Sequence, residues 1–212
     1  MIKAHASISL DGYMAGPNQN EDNPLGEGGM QVHDWMFQLE SWREAHGEEG
    51  GTTGDSDKVV DEMSENAGAG IMGRNMFGPI RGDWGDSPWD GWWGDDPPYH
   101  TPVYVLTHHA REPVEMEGGT TFHFVTDGIE SALEQARKAA GDKDIHVHGG
   151  ASTIQQYLAM GVIDEIALNV SPVLLGQGER LFENLPENLP ELELERTIAA
   201  PNVTHLKYRV KN

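Results

Sequence analysis

Residues 144 to 165 read Asp-Ile-His-Val-His-Gly-Gly-Ala-Ser-Thr-Ile-Gln-Gln-Tyr-Leu-Ala-Met-Gly-Val-Ile-Asp-Glu, and the rest of the chain can be organised around them. Apolar residues alternate with histidines over 145 to 148, as in a short strand, and Gly149-Gly150 interrupts the alternation. Ser152 and Thr153 stand where N-cap oxygens belong, and apolar residues then recur at helical spacing. The stretch predicts a strand, a glycine turn and a helix.

This junction suits a phosphate or pyrophosphate. Glycine lets the backbone approach a ligand closely, and the first turn of a helix offers N–H groups and the positive end of a dipole. The alternative is a tight turn that only joins two packed elements. The spacing differs from GxGxxG, so a Rossmann first turn is not indicated.

Composition limits the classes of partner. The 212 residues suffice for one sizeable core and contain no linker between two patterned halves, so we expect a single domain over residues 1–212. Thirty-five acidic residues face 14 basic ones, for a formal net charge of −21. Such a chain repels other polyanions, which argues against binding to nucleic acid or to an anionic membrane.

The sequence contains no cysteine, which excludes disulfides, thiolate catalysis and cysteine metal sites. The N-terminus lacks the charge pattern of a leader peptide, and no run approaches the roughly 18 apolar residues of a membrane span. We expect a cytoplasmic protein.

The hydrophobic pattern predicts an α/β fold. Strands are expected at 2–10, 69–73, 103–107, 121–125 and 163–170, and helices at 32–45, 57–66 and 129–140. Because strands and helices alternate, the central sheet should be mainly parallel, with flanking helices. Residues 192–198 and 203–210 alternate apolar and polar side chains, which predicts an antiparallel pair of strands at the C-terminal end.

A long loop at 81–102 holds four of the six tryptophans among glycine, aspartate and proline, and it follows a predicted turn at Gly78-Pro79. Tryptophans in such a loop indicate a subunit contact, internal packing or a wall of a substrate pocket. We favour the first two over the third.

Three predicted strands end in residues suited to a ligand: Gly73-Arg74, Thr107-His108-His109 and Gly149 to Thr153. Ligands of open α/β sheets lie across the carboxyl ends of strands, so these segments can line one crevice for an extended, multiply phosphorylated ligand. Arg74 suits a phosphate on that ligand, although it can equally be a solvated surface residue.

Other chemistries have weaker support. His146 and His148 lie two residues apart on a strand and can face a cation together, but no third ligand is identifiable, so we expect no metal site. There is no GxSxG elbow and no P-loop, which leaves acyl transfer and nucleoside-triphosphate chemistry without support.

Five motifs resemble, in order, those of the dihydrofolate reductase-like superfamily. They are Ser9-Leu-Asp-Gly-Tyr-Met-Ala-Gly, Ile71-Met-Gly-Arg-Asn-Met-Phe, Val105-Leu-Thr-His, His148-Gly-Gly-Ala-Ser-Thr, and Ile163-Asp-Glu followed by Pro172-Val-Leu-Leu-Gly. Within that superfamily the chain resembles the reductase domain of the bifunctional riboflavin biosynthesis deaminase-reductase and its stand-alone relatives more closely than the folate reductases. The resemblance covers nearly the whole chain, except the loops near 48–57 and 81–102.

The resemblance implies NADPH as the hydride donor. It places Ala6 beside the nicotinamide and Gly73 and Arg74 by the cofactor phosphates. Leu106, Thr107 and His108 would lie by the adenosine ribose and its 2′-phosphate, where Arg74 would select NADPH over NADH with help from His108 or His109. The pyrophosphate would be held by Gly149, Gly150, Ala151, Ser152 and Thr153.

The chain departs from both families at the proton donor. Riboflavin-type reductases have an acid just before the double glycine, where this chain has His148. Folate reductases have an acid in the first helix, and Asp34 is the corresponding candidate, although an acid there can also simply favour the helix dipole. Asp34, Asp11 and His148 are therefore the candidate catalytic residues.

Three hypotheses remain. The first is an NADPH-dependent reductase of a small heterocyclic or sugar-derived substrate, such as a ribosylated pyrimidine or a pterin. The second is a nucleotide-binding module of the same fold without catalysis. The third is a structural oligomer built through the tryptophan-rich loop. We expect a homodimer with a small-molecule substrate.

Overall fold

A nine-stranded sheet runs through the part of the chain that the computed structural model describes, residues 1–78, 82–85 and 89–211. Numbered along the chain, all strands are β1 (Ile2–Ser9), β2 (Tyr13–Ala15), β3 (Ala67–Gly73), β4 (Pro102–Leu106), β5 (Val114–Glu115), β6 (Thr121–Val125), β7 (Asp144–Gly149), β8 (Glu165–Ser171), β9 (Glu179–Arg180), β10 (Glu191–Ala200) and β11 (Val203–Lys211). The large sheet has the order β10-β11-β8-β1-β7-β3-β4-β6-β5, and β2 and β9 form a separate pair.

The sheet is mainly parallel, as predicted. From β8 through β1, β7, β3 and β4 to β6 every neighbouring pair is parallel, whereas β5, β10 and β11 add antiparallel partners at the two sides. The predicted antiparallel C-terminal pair is confirmed in β10 and β11. Because the central strands are parallel, their carboxyl ends all lie at one edge of the sheet.

Among the described residues there are five α-helices: α1 (Glu40–Ala45), α2 (Asp55–Glu62), α3 (Arg74–Phe77), α4 (Ile129–Ala140) and α5 (Ala151–Ala159). Two 3-10 segments lie at Gly29–Val32 and Glu117–Gly119. The bounds predicted for α4 are confirmed, since Gly128 precedes it and Gly141, with φ +58°, ends it. No helix within the described ranges is long and apolar enough to cross a membrane.

The two faces of the sheet are covered differently. One face carries the larger core, in which Ile71, Val147 and Tyr157 are fully buried between the strands and the helices α4 and α5. On the other face, an aromatic cluster around Phe77 and Phe122 covers β3, β4 and β6. Between that cluster and β11, the same face carries polar side chains and is covered by α2.

The prediction of a continuous helix over residues 32–45 is wrong. Residues 33 to 39 form successive turns in which each of Met36 and Leu39 donates its N–H to the carbonyl three residues earlier, and α1 begins only at Glu40. Leu39 is extended, at φ −74° and ψ 144°, which breaks any helix. Turns with a three-residue period bury Trp35, Met36 and Leu39 as well as a helix would, so the apolar spacing misled the prediction.

The prediction that Ser152 and Thr153 supply N-cap oxygens to α5 is also wrong. The N-cap residue is Gly150, and no side chain caps the helix. Ser152 and Thr153 lie inside the first turn, where Ser152 is exposed and Thr153 is buried. The double glycine ends the strand and begins the helix at once, which leaves no intervening residue for a side-chain cap.

The tryptophan-rich loop packs against its own sheet. The indole N–H groups of Trp84, Trp89 and Trp92 donate to the carbonyls of His109, Phe77 and Met76. The rings of Trp84 and Trp89 pack on the aromatic cluster, and Trp92 packs edge-on against Trp89. Internal packing therefore accounts for these side chains. The second residue of the predicted turn at Gly78-Pro79 lies outside the described ranges, which leave out residues 79–81 and 86–88.

Candidate cofactor and substrate site

β1 and β7 stop pairing before the carboxyl edge of the sheet. β1 pairs with β7 only over Ile2 to Ala4, but it pairs with β8 along its whole remaining length to Ser9. The two parallel strands therefore separate beyond Ala4. A gap between neighbouring strands at their carboxyl ends is where open α/β sheets bind ligands.

Ala6 lies beside this gap. Its side chain is 5% exposed and belongs to the larger core, so it is the backbone of Ala6 that borders the gap. The resemblance implies that Ala6 lies by the nicotinamide, and that role stays a prediction.

The glycine turn after β7 lies directly beside the end of β3. Met72 pairs with Gly149, and a Cβ built on Gly73 would lie 3.7 Å from the amide nitrogen of Gly150 and 2.5 Å from Oγ1 of Thr153. Gly149 has φ +122°, a conformation that side-chain-bearing residues rarely adopt. Because these glycines have no side chains, the ends of β3 and β7 and the start of α5 can approach one another closely.

The first turn of α5 continues this surface. Thr153 donates its N–H to the carbonyl of Gly150, so Ala151 and Ser152 carry the amides that precede the helical ladder. Ala151 is buried, whereas the Ser152 side chain is exposed at the rim. Backbone N–H groups at the start of a nine-residue helix favour an anion at this place.

Arg74 joins the ends of β3 and β4. Its Nη1 donates to Oγ1 of Thr107 at 3.1 Å, its Nη2 donates to the Gly82 carbonyl at 3.4 Å, and its guanidinium lies 3.1 Å from the ring centre of Trp84. Stacking and hydrogen bonding hold the planar fork in one orientation. A fixed guanidinium at the edge of the sheet is suited to a phosphate.

The neighbours of Thr107 differ in exposure. Leu106 is half-buried against the larger core, whereas His108 is exposed. His109 is oriented toward Asp83, with its Nδ1 2.7 Å from the carboxylate.

The three predicted strand ends, at Gly73, Thr107 and Gly149, lie side by side, because β7, β3 and β4 are neighbours in the sheet.

Asp11 anchors two loops. Its carboxylate accepts hydrogen bonds from the Ser9 hydroxyl at 2.6 Å and from the amides of Leu175 and Gly176 at 3.1 and 2.7 Å. Hydrogen bonds lower the pKa of Asp11 to about 2. The bond from Ser9 has the largest effect, burial opposes it, and the two amides add to it. Asp11 is thus ionised at neutral pH and has no proton to donate there.

His148 points across β3 and away from β1. A Cβ built on Gly70 would lie 2.8 Å from Nε2 of His148, so the imidazole occupies the space above that glycine, with the ring of Tyr99 4.6 Å away. Burial, with a smaller contribution from His146, lowers the pKa of His148 to about 3. The ring is neutral at neutral pH, so it can form hydrogen bonds but is not a cationic acid.

Asp34 lies in the turns that follow the 3-10 segment Gly29–Val32, and its side chain is exposed. That segment packs beside β1 and β8, where the Ser171 hydroxyl donates to the Val32 carbonyl at 2.6 Å. Asp34 therefore lies near the carboxyl edge of β1 and β8, accessible to solvent.

A buried polar layer on β1 and β8 was not predicted. His5 and Ser7 face α2 and carry the layer on β1, and Asn169, His205 and Ser56 continue it. The signal was present, because β1 alternates polar residues with the apolar ones that were noticed. Alternate polar residues on a strand usually face solvent, so only the packing of α2 reveals their burial.

Metal ligands are not clustered here. His146 and His148 do share a face, with ring centres 6.2 Å apart. Within residues 1–78, 82–85 and 89–211, no group of three or more histidine, aspartate or glutamate side chains could hold a metal ion.

Part of the chain is similar in sequence to a curated protein. Over 99 residues the chain is 30% identical to the uncharacterised protein YyaP of Bacillus subtilis (strain 168), which corresponds to 45% of this chain and 52% of YyaP. The chain thus matches about half the length of that curated relative.

Solved structures agree over the full length. A Shewanella sp. PV-4 protein, provisionally named for riboflavin biosynthesis, is 22% identical with a TM-score of 0.64, covering 100% of this chain and 99% of its own. Dihydrofolate reductase from Enterococcus faecalis, complexed with NADP(H), is 12% identical with a TM-score of 0.52, covering 100% and 97%. These likenesses show a dihydrofolate reductase-like fold.

The family follows from a match that spans almost the entire sequence. Residues 1–206 match the family described as the RibD C-terminal domain. The chain belongs to the RibD C-terminal domain family.

Proposed function

We propose that the protein is an NADPH-dependent reductase that transfers hydride to a small heterocyclic substrate, of the ribosylated pyrimidine or pterin-like type. The observation that carries the proposal is the meeting of Gly73, the Gly149-Gly150 turn and the Arg74–Thr107 pair at one edge of the sheet. Membership of a reductase-like family in riboflavin biosynthesis supports it.

Backbone amides and side chains would bind different parts of the cofactor. The amides at Gly150, Ala151 and Ser152 would hold the pyrophosphate, and Thr153 packs the helix against Gly73. Arg74 and Thr107 would hold the 2′-phosphate, with Leu106 and His108 beside the adenosine. The backbone of Ala6 would border the nicotinamide, from which NADPH supplies hydride when bound.

Asp34 is our choice of proton donor. The Asp11 carboxylate is engaged by the Ser9 hydroxyl and two backbone amides, and His148 is neutral and packs against Tyr99. Asp34 is exposed, so it could take a proton from solvent and pass it on, and the 3-10 segment before it packs beside β1 and β8. An Asp34→Asn variant should lower kcat at neutral pH while leaving NADPH affinity unchanged.

Comparing NADPH with NADH, in the wild type and in an Arg74→Ala variant, tests the proposed cofactor. NADPH should raise the melting temperature more than NADH does, and Arg74→Ala should weaken NADPH binding by about tenfold to a hundredfold, because a charge-assisted hydrogen bond to phosphate is lost. Arg137→Ala removes an exposed guanidinium from α4 and serves as the control. Equal shifts with the two dinucleotides, or no shift, would contradict the proposal.

A nucleotide-binding module without catalysis is the second candidate. The observation that favours it is the mismatch of the acids, since Asp11 and His148 are both unsuited to donate a proton at neutral pH. This candidate predicts that NADPH binds but is not oxidised in the presence of pterin, flavin-precursor or carbonyl panels. Oxidation with any of them would exclude it.

We also propose a homodimer. The tryptophan-rich loop is tied to its own sheet, so the supporting surface is instead the outer strand β10, where Leu192 and Leu194 are 43% and 55% exposed. An open strand edge with exposed leucines favours pairing. Light scattering should give twice the chain mass, and Leu194→Lys should reduce it; a wild-type monomer would contradict this proposal.

A further inference from the structure

Two residues of the tryptophan-rich loop contact the side chain of Arg74. The ring centre of Trp84 lies 3.1 Å from the guanidinium carbon, and the Gly82 carbonyl accepts a hydrogen bond from Nη2 at 3.4 Å. Both residues belong to the stretch 81–102, outside the five motifs that resemble the dihydrofolate reductase-like superfamily. This chain therefore surrounds its arginine with groups that the shared motifs do not supply.

The Trp84 ring is itself fixed in place. Its indole N–H donates to the His109 carbonyl at 2.8 Å. Phe77 of α3 and Phe124 of β6 pack edge-on against the ring, with ring centres 5.8 and 4.9 Å from its own. A hydrogen bond and two aromatic contacts thus hold the indole in one orientation against the arginine.

Four residues form a closed circuit that includes the guanidinium. Arg74 Nη1 donates to Oγ1 of Thr107 at 3.1 Å, and the Thr107 hydroxyl donates to the His109 carbonyl at 3.5 Å. The same carbonyl accepts the indole N–H of Trp84, whose ring lies against the arginine. The ring of Trp84 and the end of β4 therefore hold the guanidinium together.

The contact with Trp84 sets the plane of the guanidinium. At 3.1 Å between the guanidinium carbon and the ring centre, the two flat groups must lie face to face. Such a contact fixes the plane in which the N–H groups point, and it does not itself use any of those N–H groups. Two parallel N–H groups in a fixed plane match two oxygens of a phosphate.

We propose that Trp84 is a positioning residue that sets the preference for NADPH over NADH by holding the guanidinium plane of Arg74 toward the 2′-phosphate. This inference rests on the proposed reductase function, in which Arg74 and Thr107 hold that phosphate. A side chain that is oriented before binding loses less freedom on binding, so more of its interaction appears as affinity. NADH has no 2′-phosphate, so its affinity does not depend on Trp84.

Calorimetric titration of the full chain with NADPH and with NADH tests this role. Trp84→Leu should weaken NADPH binding by about threefold to thirtyfold and NADH binding by less than about twofold. Trp84→Phe keeps an aromatic face and should recover most of the loss. Trp92→Leu is the matched control, because Trp92 also donates its indole N–H to a backbone carbonyl, that of Met76 at 3.0 Å, but packs against Trp89. It should bind both dinucleotides as the wild type does.

A double-mutant cycle shows whether Trp84 acts through Arg74. In an Arg74→Ala background, Trp84→Leu should weaken NADPH binding no further, because the guanidinium that the ring orients is absent. Arg74→Lys keeps the positive charge but has no plane to orient, so it should bind NADPH about as weakly as Trp84→Leu does. That variant tests the inference even if Trp84→Leu does not fold, which its melting temperature without cofactor would show.

The outcomes separate this inference from the proposed function. Suppose that the wild type prefers NADPH. Wild-type NADPH affinity in a folded Trp84→Leu or in Arg74→Lys, equal weakening with both dinucleotides, or additive effects in the cycle would then overturn the role of Trp84 alone. A wild type that binds NADPH no better than NADH would overturn the proposed function, and this inference with it.

Discussion

Gly70 and His148 share one space on the sheet. The imidazole lies where a side chain at position 70 would point, and the nearest atoms to a Cβ there would be Nε2 and Cδ2 of His148, at 2.8 and 3.0 Å. The ring cannot retreat freely, because Tyr99 packs 4.6 Å from it. The glycine is therefore a packing requirement of the histidine that precedes the double glycine.

Substituting Gly70→Ala should destabilise the fold by about 1–3 kcal/mol through overpacking, as measured by urea unfolding. In a His148→Ala background the same change should cost nearly nothing, because the ring that clashes is absent. The coupling from this double-mutant cycle is the informative quantity. Additive effects would show that His148 does not occupy the space above Gly70.

Several elements were predictable from the sequence and others were not. α4 lies between Gly128 and Gly141, and β7 ends at a double glycine, so their patterns and their boundaries agree. Residues 33 to 39 have apolar spacing that three-residue turns satisfy as well as a helix does, which misplaced the first helix. The polar face of β1 was missed because its burial depends on α2, a contact that no local pattern records.

The meeting of the strand ends was more predictable than the buried polar layer for a physical reason. Strand ends with Gly73, Thr107 and Gly149 are visible in the sequence, and the parallel sheet brings them together without further information. The layer of His5, Ser7 and Asn169 requires knowledge of the register between β1 and β8, in which Ser7 faces Asn169. Register between distant strands is not encoded locally.

The connection after β8 depends on Asp11. Its carboxylate binds the amides of Leu175 and Gly176, so Asp11→Ala should speed hydrogen exchange at those two amides by about tenfold or more. Asp127→Ala removes an exposed carboxylate elsewhere and should leave both rates unchanged. Unchanged exchange in Asp11→Ala would show that the loop is held by other contacts.

The whole molecule should lose stability in mild acid. Burial lowers the pKa of His5 and of His148 from 6.5 to about 3 each. Below pH 6.5 the unfolded chain binds protons that the folded chain excludes, so stability is complete above that pH and falls as the pH drops toward 3. The loss should be on the order of several kcal/mol.

Urea unfolding at pH 7 and pH 4.5 measures this loss. His5→Phe should show a smaller loss than the wild type, because one of the two titrating groups is gone. His100→Phe, at an exposed histidine, is the control and should match the wild type. Identical pH dependence in wild type and His5→Phe would mean that His5 is accessible to protons in the folded state.

A crystal structure of the full chain with NADPH tests the central claim most directly. We expect the pyrophosphate within hydrogen-bond distance of the amides at Gly150 to Ser152, the 2′-phosphate on Arg74 and Thr107, and the nicotinamide where β1 and β7 stop pairing. NADPH bound elsewhere, or bound at this edge with its 2′-phosphate away from Arg74, would contradict it.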